Sequence, residues 1–246
     1  MFLYIPAIMQ ALLFAGILKI VVLYSGAFWL LLLVLLAVAV FGYRVATKKW
    51  LLWYLVLLFA LSSWTIIHLI DSPVEKDIFI ILSALIYYFF LFAGYRIGKN
   101  PDDKDARGII AMTLMATAFL FFSATYGVYL NFEVASWWLM LFYFVNISII
   151  SYRYFTIIEK RNKKLVLIYS LIIGLGLLEM GWVINFWPFG YLTSGAILLM
   201  FYYILWDLAQ NYFSDNLSKR VVLTNLFLFI FISGMVLYSS RWLPRI

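Results

Sequence analysis

Nine apolar runs, each close to the length needed to cross the hydrocarbon core of a bilayer, follow one another along the 246 residues with only short charged connections between them. They read as Ile5–Tyr24, Ala27–Tyr43, Trp50–Ile70, Ile78–Gly98, Ile109–Leu130, Val134–Tyr152, Leu165–Phe186, Tyr191–Gln210 and Val221–Tyr238. With 67% hydrophobic and 12% charged residues, and a mean hydropathy of +1.03, the chain has too little polar surface for a water-soluble domain of this size. The short alternating segments that build a transmembrane barrel do not occur. The expected fold is an all-α polytopic transmembrane bundle of about nine spans, one integral membrane domain over residues 1–246. Met1–Gly26 carries neither a basic leader nor a small-x-small cleavage site, so it is read as the first span. If it does not cross, eight spans remain.

Lys and Arg orient this bundle. Fourteen of the eighteen lie on one side, in or at the edge of the connections after the second, fourth, sixth and eighth spans. The other side keeps Lys19, Lys76, Arg241 and Arg245, together with the acidic stretch Asp71–Asp77. The positive-inside bias puts the basic connections in the cytoplasm, the N-terminus inside and the C-terminus outside. The setting expected is a plasma membrane, and a compact Lys-rich chain without cysteine suits a prokaryotic one. The net charge of +7 is spread over short loops rather than gathered into a groove, so no nucleic-acid partner is expected. The partners expected are the lipid bilayer, a small solute or ion, and a membrane-protein partner or a second copy.

Several chemistries lack their residues. Without cysteine there is no disulfide framework or thiolate metal site, and the single histidine, His68, rules out bis-histidine haem ligation within the chain. No phosphate-cradling glycine loop, H-E-x-x-H or nucleophile elbow occurs, and the last span has no lysine for a retinal Schiff base. No cofactor is expected, and the reading leans away from an enzyme without closing that class.

A weak internal repeat runs through the basic ends. Spans two, four and six close on Gly42-Tyr43-Arg44, Gly94-Tyr95-Arg96 and Ser151-Tyr152-Arg153, at spacings of 52 and 57 residues. Lys48-Lys49 and Lys163-Lys164 each open the following span, and aligning them sets Trp64 opposite Glu179. Duplicated hairpins would leave this pattern. Interfacial tyrosines beside positive-inside arginines explain it without duplication.

Glu179 is the residue that fits its surroundings least. It interrupts an apolar run, Leu177-Leu178-Glu179-Met180-Gly181-Trp182-Val183-Ile184-Asn185, about 21 Å from the basic end at 1.5 Å per residue. An ionisable group at that depth is expected to face the protein interior and to mark a site or a pair. Lys19 has the same depth in the first span and is a candidate partner, unless its long stem carries its charge to the outer headgroups. Gly174, Leu178, Gly181 and Asn185 recur on one face, a smooth surface for another helix, and Glu179 points roughly 140° away from it. Two faces that both need cover predict a central seventh span. Trp182 and Asn185 complete the candidate polar site with Trp64 and His68, which lie four apart near the outer end of the third span. Asp71, Glu75 and Asp77 follow His68, an arrangement read as interfacial rather than metal-binding. At the cytoplasmic end, Asp207 is expected to meet Arg153 or Arg96, and Asn100-Pro101-Asp102 to cap a helix start. Gln10, Asn146 and Asn225 are read as interhelical hydrogen-bonding residues.

Three functions are compatible with this pattern, a transporter first, a packing subunit as its alternative and an enzyme last, each with its own structural signature. A small transporter or channel-like protein should open a wet cavity onto Glu179. A non-catalytic membrane subunit should act through helix packing. A lipid-modifying enzyme should gather His68 with at least two of the outer acids.

Overall fold

The computed structural model describes residues 5–24, 28–50, 52–100, 102–132, 134–158 and 162–239, and the regular elements among them are all helices. Pro101, Lys160, Arg161, Arg241 and Arg245, which enter the readings above, lie outside the described residues. The helices are α1 (Ile5–Leu23), α2 (Phe28–Thr47), α3 (Trp53–Leu69), α4 (Pro73–Lys99), α5 (Lys104–Asn131), α6 (Ser136–Ile158), α7 (Lys163–Ile184), α8 (Tyr191–Phe213) and α9 (Lys219–Ser239). They occupy the nine apolar runs in order. Among the described residues, seven (α1, α2 and α4–α8) are long and apolar enough to cross a membrane, and α3 is an apolar helix of 17 residues.

Helices overrun the apolar runs where local chemistry favours it. α4 begins at Pro73 rather than Ile78, because a proline at the first helical position costs no hydrogen bond. It ends with Arg96 and Lys99 in its last turn, where cations suit the helix dipole. α5 is capped by Asp103, whose carboxylate accepts from the Ala106 N–H at 3.1 Å, rather than by the residues Asn100–Asp102 expected to do so. Asn100 instead holds the turn, its side-chain oxygen accepting from the Asp102 N–H. The Ala106 N–H and the Arg96 guanidinium hold the Asp103 carboxyl below its ordinary pKa. Because the folded value is depressed, the cap's contribution is present above the unfolded pKa near 4 and is lost only as pH falls through the lower, folded one. Protection of the Ala106 amide, taken against its intrinsic exchange rate, should therefore persist through the ordinary carboxylate range and be lost only at lower pH.

The chain divides into two compact units, Met1–Ala124 and Thr125–Ile246, where its short connections read as one domain. No linker marks the division because it falls inside the continuous helix α5.

In the first unit α1 packs on α2 and α4, and α2 on α3 and α4. Phe14 of α1 stacks on Tyr87 of α4 at 4.7 Å and on Phe59 of α3 at 5.9 Å, and the Tyr87 hydroxyl donates to the Ala39 carbonyl at 2.8 Å. Glycines let the backbones close up. A Cβ at Gly94 of α4 would stand 2.8 Å from the Tyr43 ring and 2.9 Å from Thr47 Cγ2 of α2. α3 is buried along most of its length, so a helix short for a bilayer is covered by protein rather than by lipid.

The second unit is built on a glycine seam. A Cβ at Gly174 of α7 would lie 2.1 Å from Ser148 Oγ and 2.8 Å from the Phe144 carbonyl of α6. One at Gly181 would meet the Tyr143 ring at 2.7 Å. The smooth face read from the sequence is thus the α6–α7 contact. α7 meets α8 on a second face, through Gly176 against Leu205 and the stacked pair Tyr169–Tyr212 at 4.9 Å. α9 packs on α8.

The 115-residue offset that aligns the two lysine pairs also aligns Tyr87 with Tyr202. Both tyrosines are fully buried. Tyr87 ties α4 back to α2, and the Tyr202 hydroxyl of α8 ties back to Ser151 Oγ of α6 at 3.1 Å. Trp64 and Glu179, which correspond under the same offset, do not share an environment: Trp64 is 4% exposed and Glu179 is exposed.

Candidate functional site

Glu179 does not face the interior. It stands on the exposed side of α7, and within the second unit the expectation of an enclosed helix is not met: α6 and α8 cover two of its faces and Glu179 lies on neither. The open face is regular. Ile168, Ile172, Leu175, Glu179, Trp182 and Phe186 are exposed and spaced by four, three, four, three and four residues. At 100° per residue they fall within an arc of about 80°. The physical reason is spacing: the seam glycines Gly174 and Gly181 and the α8-facing Gly176 use the close-approach faces, and the glutamate falls on neither.

Of the two readings of Lys19, the pair with Glu179 gives way to snorkelling. Lys19 Nζ reaches Asp77 Oδ1 of α4 at 2.5 Å, with both side chains about half exposed. The lysine stem carries its charge toward the acidic end of its own unit, as snorkelling requires, and meets a carboxylate there. An ion pair this exposed adds at most about 1 kcal/mol.

Trp64 and His68 do come together, as packing rather than chemistry. Phe28 of α2 sits edge-on to both, at 5.0 and 5.2 Å, and His68 Nδ1 lies 2.8 Å from the Trp64 carbonyl oxygen. Among the described residues no group of three or more His, Asp or Glu side chains converges, so the outer acids do not form the cluster that a lipid-modifying enzyme would need. Trp182 shares the Glu179 stripe and packs edge-on to Phe186 at 5.1 Å. Asn185 closes α7, its backbone N–H reaching the Trp182 carbonyl at 3.2 Å. Its side-chain amide is shielded and makes no hydrogen bond among the described residues.

A family model matches residues 17–239, from the middle of α1 to the end of α9. The chain belongs to the DUF5656 family, proteins of unknown function. No curated protein and no solved structure matches it. The DUF5656 assignment therefore brings no residue roles, and this family member has to be read from its own geometry as a multi-pass helical membrane protein.

Its second polar feature lies at the basic end of the second unit. Asp207 accepts from Asn225 Nδ2 of α9 at 2.7 Å, and the same amide nitrogen donates to the Val221 carbonyl at 3.1 Å. The pairing expected with Arg153 or Arg96 is corrected on both counts. Arg96 is held by Asp103 in a two-pronged contact of 2.8 and 3.0 Å, and Arg153 is exposed. Asn225 is 6% exposed, so α8 and α9 exchange a hydrogen bond in cover about 9 Å from their helix ends, six residues in from Phe213 and from Lys219. Tyr203, Asn211, Arg220 and Thr224 join the pair around an open cleft of about 280 Å³. The sequence marks Asn225 as a polar residue within a span. What it lacks is a signal joining Asn225 to Asp207, since i+18 on two helices is fixed only by the α8–α9 turn.

Proposed function

We propose that this DUF5656 protein is a non-catalytic membrane subunit that presents the open face of α7 to a transmembrane helix of a different protein, with Glu179 as the polar contact. The observation that carries this reading is an exposed carboxylate in the middle of a heptad-spaced apolar stripe. Apolar side chains alone would simply face lipid. A glutamate among them is costly in hydrocarbon unless a partner supplies a proton donor or a cation. The 4-3-4-3-4 spacing is the one a second helix follows when it packs along a seam.

The required partner carries Lys, Arg or His near the acidic end of its helix. A second copy is a poor source. Among the described residues of this chain, the candidates at that end are Lys19, already engaged by Asp77, His68, packed against Phe28 and Trp64, and Lys76 in the first turn of α4. The transporter reading, which asks for a wet cavity at Glu179, draws less support: Glu179 lines neither the cleft at Asp207 nor the groove between α1, α2 and α4.

The reading is tested by isolating the full chain in mild detergent, with and without Glu179→Leu. The unchanged chain is expected in an assembly heavier than one copy, containing a second membrane protein. The variant should appear alone and melt no lower than the original. A variant that misfolds would contradict the reading, because it would give Glu179 a role inside the chain. So would an assembly indifferent to the substitution.

A further inference from the structure

A groove of about 370 Å³ opens at the basic end of the first unit, between the first turn of α1 and the last turns of α2 and α4. Its walls are of two kinds. Ala7, Val45, Leu91 and Phe92 make an apolar side, while Lys48, Arg96 and Lys99 stand at its basic end. Val45 and Pro6 are exposed, so the apolar side is open laterally, beside the basic residues that close α2 and α4. Arg96 is largely neutralised by Asp103. Lys48 and Lys99 have no acidic partner among the described residues, and Lys99 Nζ lies 5.3 Å from the Tyr95 ring centroid.

Lys48 also sits where a lysine is unfavourable. It follows the last residue of α2 with φ = 55°, in the left-handed region, and its N–H closes the helix onto the Arg44 carbonyl at 2.8 Å. That is the position helices normally give to glycine or asparagine. Thr47 braces the strained turn, its hydroxyl donating to the Tyr43 carbonyl at 2.8 Å and accepting from the Lys49 N–H at 3.4 Å. The bed beneath is closely packed, since a Cβ at Gly94 of α4 would stand within 2.9 Å of both Tyr43 and Thr47. Asp215 takes the same φ of 55° past the end of α8, so the conformation itself is a helix stop; at Lys48 it also fixes a cation at the basic end of the groove.

We infer that this groove binds an anionic phospholipid, with its phosphate between Lys48 and Lys99 and the start of an acyl chain against Val45 and Phe92. The apolar side selects a lipid over a free anion. The two uncompensated lysines select an anionic headgroup over a zwitterionic one.

The test uses native mass spectrometry of the full chain with phosphatidylglycerol or phosphatidylcholine added, and inorganic phosphate as competitor. Lys48→Gly is the informative variant, because it removes the charge while relieving the backbone, so its melting temperature should hold or rise. Phosphatidylglycerol is expected to bind tighter than phosphatidylcholine, and the preference should fall about fivefold with Lys48→Gly and again with Lys99→Gln. Equal binding of the two lipids overturns the inference, as does a preference untouched by the double variant. Displacement of phosphatidylglycerol by millimolar phosphate would make the site one for a free anion and overturns it too.

Discussion

Gly174→Ala is expected to destabilise the second unit by about 1–3 kcal/mol, the cost of forcing a methyl group into a closed contact. The added carbon would stand 2.8 Å from the Phe144 carbonyl, which is backbone and cannot rotate away, and 2.1 Å from Ser148 Oγ. Relief would require α6 and α7 to separate, and with them the Gly181–Tyr143 contact. Gly234→Ala is the control. Nothing lies within 4 Å of the added carbon there, so the better helix propensity of alanine should leave stability equal or up to about 1 kcal/mol higher. Thermal unfolding of the two variants in one detergent checks the pair, and equal melting temperatures would mean that the seam does not hold the unit together.

Asn225→Leu should be the second most damaging change. It removes the donor that Asp207 accepts at 2.7 Å and leaves a carboxylate facing an apolar side chain about 9 Å inside the helix ends. Hydrogen bonds between membrane helices are individually modest, so the expected loss is about 1–2 kcal/mol. It should appear locally, as loosening of α9. The chain has no cysteine, so Thr224→Cys gives a single label site in the cleft, and its reaction with a water-soluble thiol reagent should quicken when Asn225→Leu is added. Replacing both partners, Asp207→Leu with Asn225→Leu, should restore most of the loss, because two matched apolar groups leave no orphan. If the double variant is worse than the single, the pair does more than join α8 to α9.

The parts of this fold that were legible in the sequence are those fixed by the solvent. A bilayer demands apolar runs of set length, and among the described residues each of the nine runs carries a helix. Small residues at helical spacing foretold a close contact, and Gly174 and Gly181 made it, because a missing side chain can be used only where another backbone arrives. The facing of Glu179 was not legible. Periodicity gives the angle between the glycine face and the glutamate, but whether that angle points at protein depends on where α8 lies, and α8 docks through Gly176 on a different side. Pairing partners were misread for the same reason. Lys19 found Asp77 and Asp207 found Asn225, each on another helix whose rotation no local signal specifies. Lys48 had an unread local clue: a polar residue just past the end of an apolar helix, with no glycine following, is a candidate for the left-handed cap it adopts.

The claim on which this account rests is that the open face of α7 is a contact surface for another protein. A photoreactive amino acid placed at Leu175, and separately at Trp182, in the full chain within its native membrane tests it directly. Leu141 on α6, also exposed, serves as the lipid-facing comparison. The account predicts that both α7 positions cross-link to one distinct membrane protein, that Glu179→Leu abolishes this product, and that Leu141 yields only lipid adducts. Lipid adducts at all three positions would contradict it, as would a cross-link from α7 to α1 of the same chain or to a second copy.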